Sequence, residues 1–525
     1  MAFLDIALRV AQCAAFLLIP YCLLVISYRL LLHPLKNYPG PLLAKFTDGY
    51  GGFYSLKRRL HLQTWQDHLS YGPVVRQGPN KLVFNSATAL HDIYLNESIS
   101  KSHCYQAGNV NPSTTNVFNT IDKRVHRIKR KLVGPLITER SMRAFEPKMK
   151  EQIDIFLKQL LVTTQAPPNA AINMTERCKY LGLDIVGYLA FGYALNLQTD
   201  EAHRFLVRAM MIGSWRLNVY MQFPFLRKLR MEILFYLLAI IKGKSFLQTL
   251  SKMIQARLSQ DKHAQHDLYS FMVDALDAPG SDRITLSEIW TEGIFFLPAG
   301  GDTISTTLSA LFFYLSRNPE CYKKLAEEVR STFASSADIQ GGQVSSCQYL
   351  RACINETLRM SPPVSGTLWR EQLREEVSEP FVIDGHVIPP GTQVGVNIYS
   401  IHHNPEYFPD PFTFKPERWL AVDNPEGTRA PATIAFNPFS VGSRACAGKA
   451  MAYLEVSLTI AKTLWYFDFE EASVQNDQGV NGNPTEFALQ DIFTSTHDGP
   501  YLKFQPRGEA WKELIARTTL SYSYS

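Results

Sequence analysis

Nothing in this chain limits its fold more than the stretch Pro438-Phe439-Ser440-Val441-Gly442-Ser443-Arg444-Ala445-Cys446-Ala447-Gly448, which runs directly into Lys449-Ala450-Met451-Ala452-Tyr453-Leu454-Glu455. Glycines punctuate the first part, so the backbone there must turn tightly. The second part is rich in strong helix formers. Cys446 is thereby placed just before a helix N-terminus, where free N–H groups and the helix dipole favour a thiolate. A thiolate held in that way suits a soft ligand to iron. It also suits a nucleophile with His402 or His403 as base, although nothing in the spacing pairs either histidine with it. The chain has eight cysteines in 525 residues and no C-x-x-C. That excludes a disulfide framework, a zinc ribbon and a thioredoxin-like motif.

The body of the chain reads as helical. Thr285-Leu286-Ser287-Glu288 has the form of a capping box, and apolar residues then recur to Arg317 before Asn318-Pro319 stops the run. Such a helix is about 50 Å long and crosses a whole domain. Its middle, Pro298-Ala299-Gly300-Gly301-Asp302-Thr303, predicts an opened turn beside an acid and a hydroxyl, or two short helices joined there. Strands are few: a hairpin over 380–389 with Asp384-Gly385 at its turn, and a second strand over 393–400. A chain of 46% hydrophobic and 19% charged residues folds around a core. The expected class is mainly α with a small β portion.

The N-terminus sets an expectation of compartment. Val10 to Tyr28 are 19 uncharged, mostly apolar residues, long enough to cross a bilayer with Pro20 as a kink. A cleaved signal peptide would have a shorter apolar run and a basic start, and here Asp5 interrupts. Arg29, Lys36, Lys45, Lys57, Arg58 and Arg59 follow the run, against Arg9 before it. The positive-inside rule then puts everything after the anchor in the cytosol. The expected organisation is a single-pass anchor over 1–32 and one large unit over 33–525, joined by the stiff connector Tyr38-Pro39-Gly40-Pro41.

The Cys446 stretch carries the pattern F-x-x-G-x-R-x-C-x-G, whose chance occurrence in this length is on the order of 10⁻⁴. By that pattern the chain resembles the haem-thiolate monooxygenases, the cytochromes P-450. The resemblance implies a long distal helix over the haem, a proximal Cys loop beneath it, and haem b as cofactor. Cys446 would be the axial iron ligand, and Phe439 would cover its sulfur. Gly442 and Gly448 would let the backbone approach the porphyrin, and Arg444 would bind a haem propionate. Ala299-Gly300-Gly301-Asp302-Thr303 matches the distal motif, with Asp302 and Thr303 relaying protons. Ile304 stands where the family often has Thr or Ser, and Pro298 where a smaller or aliphatic residue is common. Glu356-x-x-Arg359 and Pro416-Glu417-Arg418-Trp419 match the segments that supply a buried Glu356–Arg359–Arg418 network, with Trp419 replacing Phe.

The same resemblance gives meaning to the charge. The whole chain carries +5, and 121–131 alone holds six cations (Lys123, Arg124, Arg127, Lys129, Arg130, Lys131) against Asp122. His126 and Arg130 would bind propionates from one helix face, Arg370 would join them, and the other cations would face an acidic NADPH-dependent flavoprotein reductase. Substrate-facing segments would be 96–120, 205–241, 296–303, 364–369 and 492–494, and 233–241 would be a membrane-dipping or buried helix. The implied reaction inserts one oxygen from dioxygen into an apolar molecule. The local texture resembles filamentous-fungal members of secondary metabolism. It points to a terpenoid or polyketide-derived substrate and to the endoplasmic reticulum membrane; nucleic acid is no partner.

Overall fold

In a computed structural model the residues described are 2–109, 114–165, 170–229, 243–279, 283–372, 380–420, 431–472 and 485–515. The expected element at 233–241 lies outside them. The capping box starts the central helix, Leu286–Arg317: Thr285 Oγ1 accepts from the Glu288 N–H (3.3 Å), and Glu288 Oε2 accepts from the Thr285 N–H (2.9 Å). From Leu308 to Leu315 this helix is buried on every side, as an element apolar all round must be.

The expected opening at Pro298 does not occur. The helix runs unbroken through Pro298 to Thr303, and the glycines serve a different purpose. Helix Met174–Phe191 crosses it at that point. A Cβ on Gly301 would lie 2.6 Å from Leu183 Cδ2, one on Gly300 2.8 Å from Val186 Cγ2, and one on Gly182 3.0 Å from the Gly301 carbonyl. Absent side chains let the two backbones approach, and that packing holds the helix together where Pro298 omits a hydrogen bond.

Small sheets frame the helices. Strands Val74–Gly78, Lys81–Phe84, Gln393–Val396, Arg370–Glu371 and Ser100–Lys101 form one sheet in that order. Its last pairing sets Lys101 opposite Arg370. The hairpin Phe381–Ile383 and His386–Ile388 turns through Asp384 and Gly385 at φ 46° and 77°, both left-handed as a two-residue turn of this kind requires. The expected strand over 393–400 stops at Val396. Asn397 then caps a short helix, Ile398–His402, by accepting from the Ser400 N–H (2.9 Å).

At the N-terminus, helix Ala2–Ser27 contains Pro20 and exposes Phe16, Leu17, Ile19, Leu23 and Leu24. Several side chains of the expected span, among them Val10 and Leu18, lie outside the described residues. Among the described residues no helix is long and apolar enough to cross a membrane. The connector is docked rather than free. The Arg76 N–H donates to the Pro39 carbonyl (2.7 Å), its guanidinium to those of Arg29 and Leu35, and a Cβ on Gly40 would meet the Arg76 carbonyl at 2.4 Å.

Candidate functional site

The Cys446 loop folds by two reversals. The Cys446 N–H donates to the Phe439 carbonyl (2.8 Å) and the Ala445 N–H to that of Gly442 (3.0 Å). Gly442 has φ 77°, and a Cβ there would sit 2.0 Å from the Tyr94 carbonyl. Gly442 therefore lets the loop turn tightly and seats it on the end of helix Ala87–Tyr94. Gly448 precedes helix Lys449–Tyr466 and lines the cavity that the loop borders.

The loop forms one wall of an internal cavity that holds about 1710 Å³ of interatomic space, part of it open to solvent. Cys446 is accessible, yet protein surrounds it: its free surface faces this cavity. Burial pushes its thiol up, against the Gly448 N–H and the Arg130 and Lys449 charges, which pull it down. The helix terminus alone therefore does not win, and a cation at the sulfur is what would make the thiolate. Phe439 lines the same wall, its ring 5.3 Å from that of Tyr453.

The facing wall comes from the central helix through Ala299, Gly300, Thr303 and Ile304. Thr303 Oγ1 donates to the Ala299 carbonyl (2.7 Å). Asp302 is buried behind the cavity wall; its Oδ2 accepts from Thr494 Oγ1 (3.2 Å), and Thr494 itself lines the cavity. Burial raises its pKa to about 6, moderated by the Lys179 charge and the Thr494 hydroxyl. The alcohol thus lines the cavity directly, and the acid is joined to it through the Thr494 hydroxyl.

A cluster of cations closes the cavity on another side: Lys101, Arg130, Arg370 and Arg444, with His126 among them. Arg444 donates to the carbonyls of Thr120 (2.8 Å) and Ile121 (3.0 Å), Arg370 to that of Trp369 (3.1 Å), and Lys101 to that of Phe118. Among the described residues none of these four cations has a carboxylate within ion-pairing distance. Burial, with the neighbouring cations, lowers His126 to about 3 and Arg444 to about 10, and drives Lys101 well below its ordinary value. Charge of this density without ion-pair partners, buried at Lys101 and Arg370 and half-buried at Arg130 and Arg444, calls for an anion. A haem supplies one: its two carboxylates answer the cations and its iron answers the thiol. The residues present therefore fit that group.

Sequence reasoning missed Lys101, which no periodicity marks. It also misplaced Lys129. Three residues after His126 and four before Val133, Lys129 shares their buried face, and its ammonium meets Glu288 (3.0 Å) and Glu292 (3.4 Å). Arg124, Arg127 and Lys131 are exposed. His402 bonds the Asn437 side chain (3.1 Å) and His403 the Tyr399 carbonyl (2.8 Å); neither lines the cavity, so neither is a base for Cys446.

Behind the proximal wall, the fully buried Glu356 carboxylate accepts five hydrogen bonds: two from Arg359 (2.8 and 3.0 Å), and one each from Arg418 Nε (2.9 Å), the Lys415 N–H (3.0 Å) and Trp419 Nε1 (2.9 Å). Trp419 is thus a donor, which a phenylalanine could not be. Arg359 also reaches the carbonyls of His402 (3.0 Å) and Pro411 (2.7 Å).

The sequence profile of the cytochrome P450 family matches residues 39–491. A cytochrome P450 monooxygenase of Penicillium oxalicum is 33% identical over 489 residues, 92% of each chain. One of Gibberella fujikuroi is 32% identical over 94% of this chain and 97% of its own. One of Emericella nidulans is 33% identical over 91% and 93%.

Glu356→Ala strands the buried Arg359 guanidinium and the half-buried one of Arg418, and is expected to destabilise the fold by about 3–5 kcal/mol. Trp419→Phe removes a single donor and should cost about 1–3 kcal/mol. Urea unfolding of both variants checks the ranking; equal losses would show that the carboxylate is not the shared acceptor.

Proposed function

Because this chain belongs to the cytochrome P450 family and is a haem-thiolate monooxygenase, we propose that Cys446 is the iron ligand, that Arg444, Arg370, Arg130 and His126 hold the propionates, and that Asp302 and Thr303 handle the protons. One observation carries this reading: Cys446, Thr303 and the unpaired cations all line a single cavity. Bound there, the haem supplies reductive activation of dioxygen and insertion of one oxygen into a C–H or C=C bond. Phe439 keeps water from the sulfur, and Gly448 presents its N–H to it. The cations neutralise the carboxylates, so burying the group costs little. Thr303 presents its hydroxyl to the cavity. Asp302, near pH 6 in its titration, gives up and regains a proton one residue away.

The substrate is an apolar small molecule. Phe118, Phe295, Phe296, Phe493, Val364 and Leu368 line the cavity, and this apolar lining suits a terpenoid or polyketide-derived intermediate of secondary metabolism. Electrons come from NADPH through a flavoprotein that docks on the exposed Arg124–Arg127–Lys131 face. Gly448 and Phe439 complete the proximal site; Gly442 supports it from outside. Helix Ala2–Ser27 attaches the protein to the endoplasmic reticulum membrane, supported by its exposed apolar side chains.

The reduced protein under carbon monoxide should show the red-shifted Soret band of thiolate ligation, absent in Cys446→Ser; a histidine-type spectrum, or no haem, overturns the assignment. For the proton role, Lys179→Met removes the charge that lowers Asp302. The Asp302 titration then moves above 6, leaving more of it protonated at neutral pH, and the pH profile of product formation should shift upward. An unmoved profile would separate Asp302 from the proton path. Deleting residues 2–27 should release the protein from membranes, and Arg127→Glu should slow reduction by the flavoprotein; a bound truncation or an unchanged rate counts against the anchor or the docking face respectively.

A further inference from the structure

Two loops from distant parts of the chain each push a phenylalanine into the cavity, and each is tied down by a buried carboxylate that the reaction does not use. The first loop carries Phe118. The N–H of the preceding residue, Val117, donates to both oxygens of Glu292 (2.9 and 3.0 Å), which lies on the central helix and is wholly buried. Lys129 holds Glu292 from the other side (3.4 Å) and is itself shared with Glu288 (3.0 Å). The second loop joins strands Gln490–Ile492 and Thr494–Thr496 and carries Phe493. The Phe493 N–H donates to Asp491 Oδ1 (3.0 Å), and Asn218 of helix Phe205–Gln222 donates to the same oxygen (2.9 Å). Asp491 is likewise buried, and its own N–H is bound by the Arg58 carbonyl (2.8 Å).

Phe493 has φ 86°. A bulky side chain holds that conformation only where its surroundings over-determine it. Here the surroundings are the Asp491 latch and the facing ring. Phe118 and Phe493 meet at 5.1 Å with planes 76° apart, and Phe118 stacks on Phe295 at 5.1 Å and 13°. Lys101 Nζ sits 4.2 Å from the Phe118 ring centre, which fixes that ring further. Both rings line the cavity, and these contacts fix their mutual angle.

We propose that Glu292 and Asp491 are positioning residues that latch Phe118 and Phe493 as an aromatic clamp, and that this clamp selects substrates carrying a flat unsaturated or aryl group. The proposal rests on the haem-thiolate reading above and narrows its substrate class. A planar π-system gains from stacked or edge-on contact with rings held at a fixed angle, whereas a saturated ring of the same size gains only buried area. Neither carboxylate touches the substrate; each acts through the backbone of the loop it holds.

The test uses the full-length haem-loaded protein and two ligands, phenylimidazole and cyclohexylimidazole, titrated optically. Both bind iron through the same imidazole, whatever the protein ligand, and they differ only in ring planarity. The wild type should prefer the phenyl compound by roughly three- to tenfold. Glu292→Gln, Asp491→Asn, Phe118→Leu and Phe493→Leu should each shrink that preference toward one, while cyclohexylimidazole affinity stays within about twofold. A wild type without the preference overturns the clamp. So do carboxylate variants that weaken both ligands in the same proportion, since that is what a merely structural role would do. Should a carboxylate variant fail to retain haem, the two leucine variants decide, and an unchanged ratio in both overturns the proposal. The carbon monoxide spectrum of the same samples separates the two levels: a missing thiolate band refutes the ligation of Cys446, and a normal band without aromatic preference refutes the clamp alone.

Discussion

The Glu356 carboxylate is the point on which the proximal half of the molecule depends. It is fully buried and satisfied by five donors from two segments: two from Arg359 on its own helix, and three from the 415–419 stretch, namely the Lys415 N–H and the Arg418 and Trp419 side chains. Arg359 extends the same network to the carbonyls of His402 and Pro411. His402 in turn accepts or donates at Asn437, which opens the Cys446 loop. A charge that would be prohibitive alone becomes a fastener once every lone pair is used, and each segment it gathers loses its freedom to move independently. The loop that presents Cys446 is rigid because of contacts made on its far side.

The cavity shows the complementary situation. Its cations crowd one another, His126 is held neutral, and burial keeps the Cys446 thiol protonated in the protein alone. Such an arrangement has its electrostatic minimum only with a group that brings negative charge to the cations and positive charge to the sulfur. The protein's stability and the retention of its cofactor are for that reason two aspects of one balance. The distal side is governed by packing instead: three glycines let helices Met174–Phe191 and Leu286–Arg317 touch, and that contact fixes where Thr303 and Asp302 lie.

Some of this was legible in the residues. The capping box at Thr285 and Glu288, the stop at Asn318-Pro319 and the Asp384-Gly385 turn are local rules, and the structure follows them. Pro298 and the paired glycines are also local signals, yet reading them as an opened turn failed. Their meaning came from Leu183 and Val186, more than a hundred residues away. The need for glycine at 442 is likewise tertiary, because the atom that a Cβ there would meet is the Tyr94 carbonyl. Lys129 looked like one more surface cation until its helical phase with His126 and Val133 set it against Glu292.

By itself, then, the sequence determined the family, the long helix and the residue types a haem-thiolate site requires, since those follow from short spacings that a chain cannot alter by folding differently. Which face each residue presents was decided only by tertiary structure. Thr303 lines the cavity while Asp302 sits behind it on the Thr494 hydroxyl, and Trp419 donates to Glu356 in place of an apolar ring. The latching of Phe118 and Phe493 by Glu292 and Asp491 likewise exists only after distant segments meet. The physical reason is that burial and hydrogen-bond partnership belong to pairs of surfaces, and no single stretch of chain contains both members of the pair.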